Sequence, residues 1–219
     1  MSRISGFRES DTLAFMRVPM AKYAAQGVLD TRSRGAAVRW DIERDVASSG
    51  DSEALVIDFD EVRAVTVPFV EECIGKLLAG RAISYYDDHP VLAVNANEDV
   101  RDTLAVALGN RRLALLHVSE PPMLLGGDDI LNATLREAWS MQRFTASEVA
   151  LRLGISSQAA NNRLKALVAR GALRRVLTVP AGGGKEFAYT VPAPGASPSE
   201  PAPKQPVRRR RAPPRPTRV

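Results

Sequence analysis

The chain has 219 residues, 45% apolar and 5% aromatic, and its single Cys and two His exclude a disulfide framework and leave no cluster at the spacing of a structural zinc site. The net charge of +5 divides unevenly, with 15 basic and 22 acidic residues in 1–139, eight and two in 140–191, and seven and one in 192–219, so an acidic first part precedes a basic end suited to nucleic acid. The length suits one large or two small domains, and with no apolar run near the ~20 residues of a membrane span and no signal-peptide core, the expectation is a cytoplasmic protein that does not enter a membrane.

In chain order, residues 12–18 and 27–29 are weak strand candidates, followed by a helix over 33–46 with Thr31 or Ser33 as its cap. Residues 54–59, Ala-Leu-Val-Ile-Asp-Phe, form an apolar run without in-out alternation, the pattern of a buried central strand. Asp58, Asp60 and Glu61 after it can bind a cation, although a solvated acidic turn is the simpler reading. A helix follows over 67–79, then a strand over 91–94. The next helix spans 98–108, where Val100, Leu104, Ala107 and Leu108 share one face, and a strand over 113–116 ends the series. The order β, β, α, β, α, β, α, β points to an α/β layer.

Within this part, Thr31-Arg32-Ser33 opens one helix, Ile57-Asp58-Phe59 precedes Val62 and Val65, and Pro68-Phe69-Val70-Glu71-Glu72 opens the next helix. About 90 residues, through Leu116, resemble the STAS-like family, relatives of anti-sigma factor antagonist domains. The resemblance implies a small α/β domain that senses a signal or docks a protein. Antagonists that switch by phosphorylation carry a Ser between this strand and helix. Here the turn is Val65-Thr66-Val67-Pro68-Phe69, whose one hydroxyl, Thr66, reads as the helix N-cap ahead of Pro68, with a regulatory phosphosite as the alternative.

No nucleophile-base pair, carboxylate pair or metal cluster is evident. His89 and His117 have no partner placed by sequence, and Cys73 beside Ile74 and Leu77 reads as a small buried apolar residue. No catalysis, cofactor or metal is expected.

Pro121-Pro122 and Gly126-Gly127-Asp128-Asp129 mark a break, after which residues 131–141 form a connecting helix with Leu131, Leu135 and Trp139 on one side. Thr145 and Glu148 then have capping-box spacing, and Ala146, Val149, Ala150 and Leu153 make an apolar stripe that Gly154 ends. Ser156 or Ser157 caps a second helix with Ala160, Leu164, Leu167 and Val168 on one face. Gln158, Asn161, Asn162 and Lys165 lie nearly opposite, and no acidic residue occurs from Ser156 to Gly171. Asn and Gln bond bidentately to adenine, and Lys suits guanine or phosphate, so this stripe has the chemistry of a recognition helix.

Two β-prone runs, residues 172–179 and 185–190, flank Gly182-Gly183-Gly184 as a hairpin. No Gly-Lys-Ser/Thr ending follows, so the glycines read as a turn and not as a phosphate loop. Residues 144–189 resemble a winged helix-turn-helix domain of bacterial transcription regulators, which implies binding to double-stranded DNA, commonly as a dimer. On that resemblance the DNA-facing residues are Ser157, Gln158, Asn161, Asn162, Lys165, Arg174, Arg175 and Lys185. Nine of residues 192–219 are Pro and none is aromatic, so a disordered tail is expected, whose Arg208, Arg209, Arg210 and Arg211 either add contact with nucleic acid or serve only as a solubilising end.

The fold expected is α/β: a STAS-like mixed sheet with helices over 1–122, a linker and connecting helix over 123–143, an α+β winged helix-turn-helix over 144–191, and the tail over 192–219. The function expected is a DNA-binding transcriptional regulator, a homodimer on its operator, whose first domain receives a signal or a signalling protein. The alternative is an interaction module of partner-switching signalling, with the winged domain as a docking unit.

Overall fold

A computed structural model describes residues 15–48, 54–82, 90–141, 143–178 and 186–192. Its main element is a five-stranded mixed sheet in the order β1 (Phe15–Pro19), β3 (Ala54–Asp58), β5 (Val91–Val94), β6 (Leu115–His117), β7 (Met123–Leu125). The first four strands are parallel, with Leu55 opposite Val91 and Leu92 opposite Leu116, and β7 runs antiparallel to β6. The connections carry α1 (Arg32–Ser48), the run α2 (Val67–Val70), a π-helical turn (Glu71–Gly75) and α3 (Lys76–Ala82), and α4 (Glu98–Gly109). A two-residue parallel pair, β2 (Val28–Leu29) with β4 (Ala64–Val65), ties two of these connections together.

Parallel crossovers are right-handed, and strands laid down in one direction along a sheet place every crossover helix on the same face. That face buries Leu55, Ile57, Ala93 and Leu115 against Val38 and Ile42 of α1, Phe69, Val70, Cys73 and Ile74 of the α2 run, and Leu104 and Leu108 of α4. The opposite face presents Val56, Leu92, Leu116 and Leu124, which is why β3 shows no polar alternation. These residues form one buried cluster with Leu131, Leu135 and Ala138 of α5 (Asp129–Trp139) and with Phe144, Val149, Ala160, Leu164 and Leu167 beyond it.

After α5 come β8 (Arg143–Thr145), α6 (Ala146–Leu153), α7 (Ser157–Ala169), β9 (Arg174–Thr178) and β10 (Glu186–Thr190), the three strands forming an antiparallel sheet in the order β8-β10-β9. The structure is thus mixed α/β with helices and a mixed sheet. Among the described residues no helix is long and apolar enough to cross a membrane.

Several elements differ from the sequence reading. The sheet continues through β7, past the boundary expected at residue 122, and the connecting helix expected over 131–141 is α5, which packs in a cluster shared with the sheet. The helix expected over 67–79 is interrupted by the π turn, whose extra residue brings the buried Glu72 to α1. There Lys76 Nζ lies at 2.5 Å, Arg32 Nη1 at 3.6 Å and Arg39 Nη2 at 3.8 Å from its carboxylate. The hydrogen bond from Lys76, with the charges of Lys76, Arg39 and Arg32, holds this carboxyl below the ordinary range against the cost of burial. Asp58 is not a solvated turn residue: it is buried, receives Arg17 Nη2 at 2.7 Å and Asn95 Nδ2 at 2.8 Å, and so is already neutralised. Thr66 occupies the N-cap position but makes no capping bond, and its buried Oγ1 has no hydrogen-bond partner. Thr31, not Ser33, caps α1, accepting from the Arg34 amide at 3.3 Å.

Candidate nucleic-acid interface

The local sequence sets each end of the helical pair. Thr145 and Glu148 complete the capping box at the start of α6, with the Thr145 amide donating to Glu148 Oε2 at 2.6 Å. Gly154 ends α6 in the left-handed region, φ +63°, which glycine adopts without steric cost. Two residues later Ser156, rather than Ser157, caps α7 by accepting from the Ala159 amide at 3.2 Å. Ala160, Leu164 and Leu167 face the core, which fixes the rotation of α7 about its axis and hence the side it shows to solvent.

On that side Ser157, Gln158, Asn162 and Lys165 are exposed, and Gln158 Nε2 donates to Asn162 Oδ1 at 3.0 Å. Asn161 is half-buried, its Oδ1 accepting from the Tyr189 hydroxyl of β10 at 3.1 Å. Asn161, expected among the DNA-facing residues, thus has its carboxamide oxygen bonded to the adjoining strand. Burial pushes the Tyr189 phenol up, which keeps it a donor.

Arg174 is half-buried and Arg175 exposed. The Arg175 guanidinium lies 4.4 Å from the centre of the Phe187 ring, a cation–π contact that steadies a charge at the surface. Register places Arg175 opposite Tyr189, so Arg175, Phe187 and Tyr189 share the face of the β9–β10 pair that meets α7. The structure thus brings Asn161, Asn162, Gln158, Lys165 and Arg175 to one side of the molecule. Lys185, Arg208, Arg209, Arg210 and Arg211 lie outside the described residues.

Sequence reasoning missed Tyr189 and Phe187. Their spacing of two on a β-prone run was the available signal, but the pairing of Tyr189 with Asn161 spans 28 residues and appears only in the fold.

Among the described residues of the acidic part, His117 and Cys73 are the side chains that chemistry would call on first. His117 is buried at the end of β6, where its Nε2 accepts from the Ala96 amide at 3.3 Å and its Nδ1 meets Ser119 Oγ at 3.1 Å. Ser119 Oγ donates to Pro121 O at 2.8 Å, so the ring nitrogen is the donor to Ser119. Burial, aided by the charge of Arg101, pushes the imidazole down to about 4, and it is neutral at pH 7. Burial likewise pushes the Cys73 thiol up to about 12, which keeps it protonated and inert. Among the described residues, no group of three His, Cys, Asp or Glu side chains is placed to hold a metal ion. His89 lies outside them.

No family model, curated protein or solved structure matches the chain.

Proposed function

We propose that the chain is a sequence-specific DNA-binding transcriptional regulator, in which residues 144–191 act as a winged helix-turn-helix domain and the STAS-like first part receives a signal or a protein partner. The observation that carries this reading is α7. It exposes Gln158, Asn162 and Lys165 on one side, beside Arg175, and no acidic residue occurs between Val149 and Thr178 to offset them. A merely solvated surface mixes charge signs, whereas a groove-reading surface combines amides for base edges with cations for phosphates. The capped turn between α6 and α7 and the strand pair beside α7 supply the arrangement in which such a helix enters the major groove.

Selection of bound fragments from random duplex DNA by the full-length protein tests this. A reproducible enriched site is expected, palindromic with half-sites about one helical turn apart for the proposed homodimer. Retention without any enriched sequence contradicts the reading.

A second reading, a partner-switching interaction module, draws on Trp40, which is 65% exposed on α1. It requires a signalling protein whose capture is lost in Trp40→Ala while DNA retention is unchanged.

A further inference from the structure

We infer that Tyr189 determines which base edges α7 reads, by holding Asn161 as a hydrogen-bond donor so that the base opposite it is a keto base, guanine or thymine. The inference rests on the DNA-reading role proposed above and adds to it the chemistry of one base contact.

The starting point is how firmly the Tyr189 hydroxyl is placed. Its strand, β10, is hydrogen-bonded on both edges, to β8 and to β9. Its ring is 1% exposed and stacks on Phe144, with ring centres 6.1 Å apart and planes inclined at 17°. Core packing, not solvent, therefore sets the position of the hydroxyl, and from there it donates to Asn161 Oδ1 at 3.1 Å.

A carboxamide has an oxygen with two lone pairs at one end and an NH2 group with two donor hydrogens at the other. With Oδ1 engaged toward the strand, the Asn161 Nδ2 group is the end left for the groove. An unrestrained Asn reads adenine bidentately, accepting from N6 and donating to N7. Asn161 held in this way has its oxygen drawn toward the strand, away from the geometry of that pair, and its Nδ2 group matches best the edges that present acceptors alone, the O6 and N7 of guanine or the O4 of thymine, whereas adenine sets its N6 donor beside N7. Its neighbours agree: Asn162 Oδ1 is occupied by Gln158 Nε2 at 3.0 Å, and Lys165 has only donors. Gln158 Oε1 remains as an acceptor, but donors outnumber acceptors along the row, a bias that a list of residue types does not reveal.

The test compares sites selected from random duplex DNA by the full chain and by Asn161→Ala, Tyr189→Phe and Asn161→Asp. In the parent, one position of the enriched site is guanine or thymine, and Asn161→Ala relaxes that position alone. Tyr189→Phe keeps the buried ring but frees Oδ1, and shifts the position toward adenine by roughly tenfold in relative enrichment. Asn161→Asp still accepts from Tyr189 but turns a second acceptor outward, and shifts the position to cytosine or adenine. The inference is overturned when the Asn161-dependent position is adenine in the parent or when Asn161→Ala changes no position. It is equally overturned when Tyr189→Phe, folded by circular dichroism, keeps the keto preference. Should Tyr189→Phe not fold, an unchanged preference in Asn161→Asp overturns it. A parent that enriches no site at all removes the DNA-reading role itself, an outcome distinct from these.

Discussion

At the scale of single residues, some polar groups in this protein are engaged by the fold and others are presented to solvent. His117 belongs to the first kind. Its imidazole is 3% exposed and pushed down to about 4 from an ordinary 6.5. As pH falls below 6.5 the unfolded chain takes up a proton that the folded chain refuses, so stability is intact above that pH and declines between 6.5 and 4. The loss is at most about 3 kcal/mol. Denaturant titrations at pH 7 and pH 5 measure it, and His117→Gln flattens the difference if this residue carries it. An equal decline in the variant contradicts the assignment. Gln158, Asn162 and Lys165 belong to the second kind and were legible in the sequence, because offsets of four and three on a capped helix fix their common face. The restraint on Asn161 was not legible, because its partner Tyr189 arrives from a strand 28 residues later.

Elements were legible in proportion to their length and the regularity of their period. The strand expected over 91–94 is β5 as found, and the helix expected over 98–108 is α4 with one residue more. The strands that escaped, β4, β7 and β8, have only two or three residues, too few to display an alternation. The π turn escaped because a 3.6-residue period has no place for its extra residue, although the outcome, a buried Glu72 among Lys76, Arg39 and Arg32, is a clear signature once seen. The two-part cap of Thr145 with Glu148 was legible as it stands, the one-part caps at Thr31 and Ser156 only to within one or two residues, and Thr66 holds the expected N-cap position without the side-chain bond. Thr145→Ala removes the bonds of the Thr145 hydroxyl to the Glu148 amide and carboxylate, leaves the bond from the residue's backbone amide, and is expected to cost about 1 kcal/mol without changing what α7 reads. Thermal unfolding alongside DNA selection checks both halves of that statement, and an altered enriched site contradicts it.

At the scale of the molecule, the direction of strand order has the largest consequence. Because every crossover helix falls on one face of the sheet, the other face needs a cover, and α5 with the α6–α7 pair provides it. The connecting helix is α5, whose Leu131, Leu135 and Ala138 share a cluster with Val56 and Leu116 of the sheet and Leu164 of α7. This shared cluster is expected to make unfolding cooperative across both parts. In native-state hydrogen exchange, the slowest amides of β3 and of α7 are expected to reach the same opening free energy, and a distinctly lower ceiling for α7 contradicts this coupling. The same continuity gives the proposed sensor part a mechanical route to α7, through the packing of α5 on the sheet.

The claim at the centre of this account is that α7 reads base sequence, and the most direct measurement is a ratio of dissociation constants, selected site over scrambled duplex, at one fixed salt concentration. For the parent protein the scrambled duplex is expected to bind at least about a thousandfold more weakly, the usual margin between specific and non-specific binding. For Asn162→Ala with Lys165→Ala, folded as the parent is, the two duplexes are expected to bind nearly alike, with residual affinity that falls steeply as salt rises. A parent ratio near one, or a double variant that keeps the parent's discrimination, contradicts the account.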